Sequence, residues 1–414
     1  MVDLRSYILV TAAYWGFTLT DGALRMLVLL HFHELGFNPV ELAFLFLLYE
    51  FFGIVTNLVG GWIGSRFGLK ITLFAGLAIQ IVALVMLSLI QPAWVAWLSV
   101  AYVMVAQALS GIAKDLTKMS SKSAVKLVVP GDSESLLFKW VAILTGSKNA
   151  LKGLGFFIGG AGLGLIGFAP SLWVMALGLA FVLLFSVLSL KQDMGRSKVK
   201  TKFKQIFSKS REINILSLAR FFLFSSRDVW FVVGLPIFLY EGLGWTFTGV
   251  GAFMAAWVIG YGFVQAAAPR FLRQSTGEAV GTTAARAWAF GLAVIPAGIA
   301  LAMVLDFYPV AAVLGGLILF GIVFAVNSSL HSYLILACTD ADQVALNVGF
   351  YYMANACGRL VGTLLSGVMY LAAGLVGCLW VSAVMVLAAA ALTLTLPMFQ
   401  ARLDDQTGVT KGEG

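Results

Sequence analysis

Charged residues are scarce in this chain: only 11% of its 414 residues are Asp, Glu, Lys or Arg, whereas 60% are hydrophobic. The mean hydropathy is +0.95, a value that soluble domains of this length do not reach. The sequence therefore predicts a polytopic membrane protein. The N-terminus lacks the charged region and the small-residue cleavage site of a signal peptide, so we expect the first apolar run to be a retained helix.

Cysteine and catalytic motifs are scarce or absent as well. Cys338, Cys357 and Cys378 lie in apolar stretches without CxxC or Cys/His spacing, so we expect no disulfide, no metal site and no cofactor. We find no Gly-x-Ser-x-Gly elbow, no His-Glu-x-x-His pair and no phosphate-binding Gly-rich loop, which argues against an enzyme and against an ATP-driven pump.

Twelve stretches are long and apolar enough for membrane helices of about 20 residues. They cover residues 7–30, 40–63, 71–90, 94–114, 145–168, 172–190, 213–240, 247–268, 287–305, 310–337, 344–371 and 375–396, and the fourth could continue past Lys114. Outside these spans, Lys and Arg occur only at the termini and in alternate loops, which places both termini in the cytoplasm by the positive-inside rule.

The predicted fold is all-α, with twelve transmembrane helices in two pseudo-symmetric six-helix bundles. The bundles span residues 1–190 and 213–397, a basic cytoplasmic linker spans 191–212, and a cytoplasmic tail spans 398–414. We expect the linker to contact anionic lipid headgroups and not nucleic acid. Leu35-Gly36-Phe37 matches Leu243-Gly244-Trp245 at an offset of 208 residues, which places Asp21 next to Asp228. Such halves are typical of secondary transporters, whose cargo site lies between them.

Several charges lie inside these apolar spans, where they are costly. Asp21 and Arg25 are four residues apart, so they share one helical face and can pair with each other. Lys148 and Lys152 have the same spacing and form a like-charge pair that an anion would stabilise. Alternatively, this pair extends to the inner membrane edge.

Cations inside the spans outnumber acids. Arg227 and Arg359 are mid-span, whereas Arg220 is nearer the inner end and we expect it to set topology. Asp21, Glu50 and Asp228, with Asp115 as a fourth acid if the fourth helix is long, can neutralise about half of these cations. The remainder favours an anionic ligand, and the arginine fork suits phosphate or arsenate. Structural salt bridges between helices are the alternative.

Two rows of residues repeat every four positions. Asn347, Tyr351, Asn355 and Arg359 form a polar stripe that either lines a cavity or joins helices by hydrogen bonds. Lys114, Lys118, Lys122 and Lys126 form a basic ridge that either touches lipid headgroups or attracts a cytoplasmic anion. His331 is expected to be a hydrogen-bonded core histidine, and His31 and His33 are a weak metal signal.

The loop between the second and third spans resembles the signature of the major facilitator superfamily. Gly61, Arg66, Gly68 and Lys70 match that signature, while Ser65 replaces its Asp. In the fifth span, Gly146, Gly155 and Gly159 match the glycine spacing of the antiporter motif of the same superfamily, with Gly160 in place of its Pro. The physical reading of these glycines is close helix packing.

Residues 20–36 (TDGALRMLVLLHFHELG), 111–123 (GIAKDLTKMSSKS) and 138–149 (FKWVAILTGSKN) resemble ArsJ-type organoarsenical exporters within that superfamily. The resemblance implies efflux of 1-arseno-3-phosphoglycerate by alternating access across a bacterial inner membrane, which confers arsenate resistance. It also implies a functional partner, a glyceraldehyde-3-phosphate dehydrogenase that makes this cargo from arsenate. The residues alone support an organic-anion transporter.

We expect the cargo site to combine cations with polar groups from both bundles. The predicted substrate-binding residues are Arg25, Asn57, Lys118, Lys148, Lys152, Arg227, Tyr351, Asn355 and Arg359, and the predicted coupling residues are Asp21, Glu50 and Asp228. The main alternative is a transporter of another phosphorylated metabolite or organic anion. A membrane sensor or scaffold would instead keep these charges paired and dry.

Overall fold

The computed structural model describes residues 4–91, 93–124, 134–190, 210–276, 282–337 and 344–396. All regular structure in these ranges is helical. The first half contains α1 (Leu4–Glu34), α2 (Pro39–Phe67), α3 (Leu69–Ser88), α4 (Ala96–Ala124), α5 (Glu134–Ile166) and α6 (Phe168–Ser189). The second half contains α7 (Arg211–Phe231), α8 (Gly234–Ile237), a π-helical turn (Phe238–Gly242), α9 (Phe247–Thr276), α10 (Thr282–Val304), α11 (Pro309–Ala337) and α12 (Val344–Leu394).

Ten helical segments of the described chain are long and apolar enough to cross a membrane. One of them, Asn347–Leu394, has 48 residues, which is enough for two crossings. Its backbone leaves helical geometry at Ala373 and at Gly374, whose φ of 60° lies in the left-handed region that favours glycine. We therefore divide α12 into an N-arm (344–372) and a C-arm (375–394), which correspond to the last two predicted spans.

Other predicted boundaries agree less completely. The fourth helix does continue past Lys114, to Ala124. The 31-residue α1 is more polar and is not among the ten apolar segments, so the total of twelve membrane crossings stays a prediction. Residues 191–209 of the basic linker and the tail 398–414 lie outside the described residues, and the predicted bundle boundaries remain untested.

The seventh predicted span is interrupted between α7 and α8. Pro236 follows this break, and a proline inside a helix removes one N–H and clashes with the carbonyl four residues earlier. The backbone N–H groups of Val233 and Gly234 both donate to Ser366 Oγ of the α12 N-arm, at 3.1 Å each. One hydroxyl thus satisfies donors at the break and ties α7–α8 to the α12 N-arm.

Glycines bring α1 and α5 into backbone contact. A Cβ built at Gly155 would lie 2.4 Å from the Leu19 carbonyl oxygen, and one at Gly159 would lie 2.3 Å from the Ala23 carbonyl oxygen. These distances are far below van der Waals contact, so only glycine permits this spacing. The predicted role of the α5 glycines in close packing is confirmed.

Replacing Gly159 with valine should therefore separate α1 from α5. We expect about a fivefold loss of monodisperse protein, since backbone overlap cannot be relieved by side-chain rotation. Gly178→Val in α6 is the matched control, because nothing lies within 4 Å of a Cβ built at Gly178. Size-exclusion chromatography of the detergent-solubilised variants measures both, and equal yields would contradict the close-contact geometry.

The two halves meet along α5–α9 and along α2–α12 N-arm. A Cβ at Gly160 would lie 2.4 Å from the Phe247 carbonyl oxygen, and one at Gly367 would lie 2.3 Å from the Pro39 carbonyl oxygen. Gly160 and Gly367 are 207 residues apart, so the two contacts occupy equivalent places in the two halves. This correspondence supports the repeat inferred from the loop sequences.

Candidate functional site

A charged cluster lies where α1, α2, α4, α5, α7 and the α12 N-arm converge. Asp21 of α1 is its first acid. Lys152 Nζ of α5 lies 3.2 Å from Asp21 Oδ2, and the Tyr49 hydroxyl of α2 donates to Asp21 Oδ1 at 2.6 Å. Asp21 and Arg25 do not form the ion pair that their spacing allowed, because Arg25 binds Glu50 of α2 instead. The view of Lys152 as an unpaired cation was wrong for the same reason: its partner comes from another helix.

Glu50 of α2 joins the two halves of the chain. Arg25 Nη2 of α1 lies 2.7 Å from Glu50 Oε1, and Arg359 Nη2 of the α12 N-arm lies 2.6 Å from the same oxygen. Arg25 also lies over the rings of Phe46 and Tyr49, at 5.1 and 5.3 Å from their centroids. One buried carboxylate therefore holds one arginine from each half.

Asp228 of α7 is the third acid. Arg359 Nε lies 3.2 Å from Asp228 Oδ2, and Arg227 donates from Nε to Asp228 Oδ1 at 2.6 Å. Arg359 therefore bridges Glu50 and Asp228. Arg227 lies 5.0 Å from the centroid of the Phe224 ring, so its guanidinium is held by an acid on one side and an aromatic ring on another.

The repeat places equivalent ion pairs in the two halves. Asp21 and Asp228 are 207 residues apart, and so are their partners Lys152 and Arg359. Each pair joins the first helix of its half to the fifth. Gly155 and Gly362, also 207 apart, each pack on the helix that carries the acid. The site thus consists of two related halves bridged by Glu50, which has no charged counterpart.

A fourth acid, Asp115 of α4, extends the cluster. Lys118 Nζ lies 3.3 Å from Asp115 Oδ1 and 3.0 Å from Asn57 Oδ1, and Thr56 Oγ1 donates to Asp115 Oδ2. Lys114 Nζ lies 4.0 Å from the centroid of the Tyr49 ring. The first two lysines of the predicted basic ridge therefore face the cluster rather than lipid headgroups. The Lys122 side chain and Lys126 lie outside the described part.

Acids and cations differ in their exposure. The Glu50 and Asp228 side chains are 1% exposed, whereas those of Lys118, Lys152 and Arg359 are 25%, 20% and 19% exposed. Six described cations, Arg25, Lys114, Lys118, Lys152, Arg227 and Arg359, accompany four acids, Asp21, Glu50, Asp115 and Asp228. Six minus four leaves a formal excess of two positive charges among the described members of the cluster.

The remaining predicted substrate-binding residues stand at the margin of this cluster. Lys148 lies half-buried one turn before Lys152. Tyr351 is fully buried and faces Arg220, whose guanidinium carbon lies 5.1 Å from the centroid of its ring. Asn355 lies between Tyr351 and Arg359 on the polar stripe, and its buried Oδ1 has no hydrogen-bond partner. None of the contacts described for these residues tests substrate binding, so their roles stay predictions.

Tyr49, Lys114 and Asp115 belong to the cluster but were missing from the sequence-based list of site residues. Tyr49 binds Asp21, but a tyrosine within an apolar run carries no distinguishing signal. Lys114 was visible only as part of the basic ridge. Arg220 was assigned to topology, yet it is only 4% exposed. That assignment was wrong because a position near a span end does not show which way a side chain points.

The two outer histidines do not form a metal site in the described structure. His31 stacks on Phe168 with ring centroids 4.0 Å apart, and His33 Nε2 lies 3.1 Å from Glu241 Oε1 of the π-helical turn. No group of three or more metal-ligating residues occurs among the described residues. His33 and Glu241 instead join the two halves at the end that carries the turn at Gly36.

The sequence matches one protein-family model, and the structure aligns with solved transporter structures. The model of the Major Facilitator Superfamily matches residues 7–330. Among curated proteins, none matches the sequence. A solved POT family transporter in complex with a thioalcohol-conjugated peptide aligns with a TM-score of 0.74 and 14% identity, covering 94% of each chain.

Two other solved structures align similarly. A D-xylose–proton symporter has a TM-score of 0.72 and 13% identity, covering 94% of this chain and 98% of its own. A nucleoside transporter has a TM-score of 0.73 and 12% identity, covering 93% and 98%. At such identities the likeness concerns the fold and not the cargo.

Proposed function

Because the chain belongs to the major facilitator superfamily and is thus a multi-pass membrane transporter, we propose that its cargo is a small organic anion with at least two negative charges. The observation that carries this proposal is the excess of two positive charges in the cluster, on cations that are more exposed than the acids beneath them. A buried charge requires compensation. A cargo with two negative charges would neutralise the two positive charges that the four acids leave.

The arrangement also supports a way to couple cargo binding to alternating access. Glu50 of the first half binds Arg359 of the second, so it holds the two halves together when cargo is absent, while Asp228 binds Arg359 within the second half. A phosphate or similar oxyanion would compete for the arginine donors, since an arginine fork binds such groups through paired hydrogen bonds. Cargo would thereby loosen the contacts at Glu50, and Asp21, Glu50 and Asp228 would be the groups that accept protons.

For the cargo itself we propose 1-arseno-3-phosphoglycerate, exported to confer arsenate resistance. The two anionic ends of this ester suit a site whose cations come from both halves, with Arg25 and Lys152 in the first and Arg227 and Arg359 in the second. Pentavalent arsenic in an oxyanion needs no thiolate ligand, which agrees with the few cysteines. The arsenic assignment rests on the resemblance of residues 20–36, 111–123 and 138–149 to ArsJ-type exporters.

Transport into everted membrane vesicles tests both parts of this proposal, that the cargo is an organic anion and that it is the arsenic ester. Vesicles would receive arsenate, glyceraldehyde-3-phosphate dehydrogenase and the other substrates of that enzyme, and each component would then be omitted in turn. We expect arsenic to accumulate only in the complete mixture, at least about tenfold above vesicles that lack the transporter. Because the cytoplasmic face of an everted vesicle faces the medium, accumulation inside the vesicle corresponds to export from the cell.

Replacing arsenate with phosphate is the matched control for the cargo. Accumulation of the phosphate ester at an equal rate would favour the alternative, a transporter of phosphorylated metabolites. Arsenic accumulation that does not depend on the dehydrogenase, with the protein correctly inserted, would reject the organoarsenical ester. Failure of every anion tested would reject anion transport altogether.

A further inference from the structure

Arg220 is a buried cation that the charged cluster does not neutralise. It lies on α7, seven residues before Arg227, and is 4% exposed. Its one hydrogen bond in the described structure runs from Nη1 to the Ser328 carbonyl oxygen of α11, at 3.1 Å. No carboxylate in the described part of the chain lies within 4.0 Å of its guanidinium, whereas Arg25, Arg227 and Arg359 each have one. A buried charge in this position is costly unless a counter-ion accompanies it.

Aromatic rings contact this guanidinium. Its carbon lies 4.0 Å from the centroid of the Phe224 ring, and that of Arg227 lies 5.0 Å from the centroid of the same ring. Phe224 therefore contacts both arginines. Tyr351 of the α12 N-arm covers Arg220 on another side, at 5.1 Å. Such cation–π contacts compensate only part of the lost hydration of the charge.

Unpartnered polar atoms accompany Arg220. Arg220 Nε, Ser217 Oγ and His331 Nδ1 are all buried without a hydrogen-bond partner, and the residues that carry them are 4%, 2% and 1% exposed. Ser217 lies one turn before Arg220 on α7, and His331 lies one turn after Ser328 on α11. The expectation of a fully hydrogen-bonded His331 is wrong at Nδ1. Buried polar atoms without partners are rare because each costs free energy.

We propose that Arg220, Ser217 and His331 form a second anion site, distinct from the cargo site, for a small monovalent anion of the chloride class. A single negative charge would neutralise the single guanidinium. The Arg220 Nε–H and the Ser217 hydroxyl would donate to this anion, and the His331 ring would donate as well when its proton is on Nδ1. The single charge of this anion distinguishes it from the proposed cargo, which carries at least two negative charges.

This site would stabilise the second half of the protein rather than carry cargo. The anion would join α7 to α11 next to Tyr351 of the α12 N-arm, three helices that alternating access must keep together within one half. Its occupancy depends on halide concentration and not on cargo. The proposal can therefore fail or succeed independently of the proposed transport function.

Halide-dependent thermal stability of the purified transporter tests the proposal. The wild-type protein would be unfolded in detergent without cargo, in gluconate buffer and with chloride or bromide added from 1 to 200 mM at constant ionic strength. We expect the unfolding midpoint to rise by about 3 °C in chloride and in bromide, because a ligand that binds only the folded state stabilises it.

Variants on the same helix provide the controls. Arg220→Gln should lose the halide response, whereas Arg211→Gln, an exposed arginine at the start of α7, should keep it. Should Arg220→Gln not fold, Ser217→Ala is the second variant, and it should weaken the apparent halide affinity about tenfold. An unchanged response in these variants, or none in the wild type, would overturn the proposal and indicate that water satisfies these groups.

Discussion

Replacing Arg359 with glutamine is expected to lower cargo transport by about 100-fold, the effect of losing a charge-assisted contact of about 3 kcal/mol. Among the described residues, Arg359 alone binds an acid of each half, Glu50 at 2.6 Å and Asp228 at 3.2 Å. The protein should still fold, because Glu50 keeps Arg25 and Asp228 keeps Arg227 as partners. The measurement is initial-rate uptake in everted vesicles, normalised to the amount of folded transporter.

Two further variants serve as controls for this experiment. Arg5→Gln removes the same charge from an exposed position at the start of α1 and should leave transport within about twofold of wild type. Arg359→Lys keeps the charge but loses the fork, so it should recover only part of the rate. Full transport by Arg359→Gln would remove this residue from the cargo site and leave it a structural role.

Replacing Glu50 with glutamine should produce the largest loss of stability, about 3–5 kcal/mol, the range for breaking a buried ion pair by removing one partner. The Glu50 side chain is 1% exposed and holds two arginines, one of them, Arg25, only 7% exposed. Both guanidiniums would then lose their shared carboxylate in a buried setting. Thermal unfolding in detergent measures the change as a shift of the midpoint.

The control for this loss is a second glutamate that also joins the halves. Glu241 contacts His33 at 3.1 Å, but its side chain is 58% exposed, so Glu241→Gln should cost at most about 1 kcal/mol. The double variant Glu50→Gln/Arg25→Gln should regain part of the loss, since it removes the arginine that loses its acid, whereas Arg359 keeps Asp228 as a partner. Equal shifts for Glu50→Gln and Glu241→Gln would show that Glu50 does not link the halves energetically.

The sequence predicted the helices better than their partners. Apolar runs of about 20 residues reflect a local requirement, since a segment in lipid must satisfy its own backbone and expose apolar side chains. The run at 310–337 accordingly became α11, Pro309–Ala337. The paired spans at 344–371 and 375–396 became the arms of α12, separated at Gly374. A local constraint of this kind can be recognised within one short window of residues.

Unlike the helices, the ion pairs could not be predicted from local spacing along the chain. The i,i+4 spacing suggested that Asp21 binds Arg25, but Asp21 binds Lys152, 131 residues away, and Arg25 binds Glu50 on α2. Four-residue spacing places side chains on one helical face without stating which neighbouring helix that face meets. Arg220 shows the same limit: sequence position suggested a topological charge, whereas the structure buries it against Phe224 and Tyr351.

By itself, the sequence determined that this chain is a membrane protein built of two related halves and rich in intramembrane cations. Those properties depend on composition, on periodicity and on a repeat of 207 to 208 residues. Only the tertiary structure decided which cation meets which acid, that Glu50 and Arg359 join the halves, and that Arg220 stands apart. Ion pairs depend on distances of about 3 Å between separate helices, and such distances are set by glycine contacts such as those of Gly159 and Gly367.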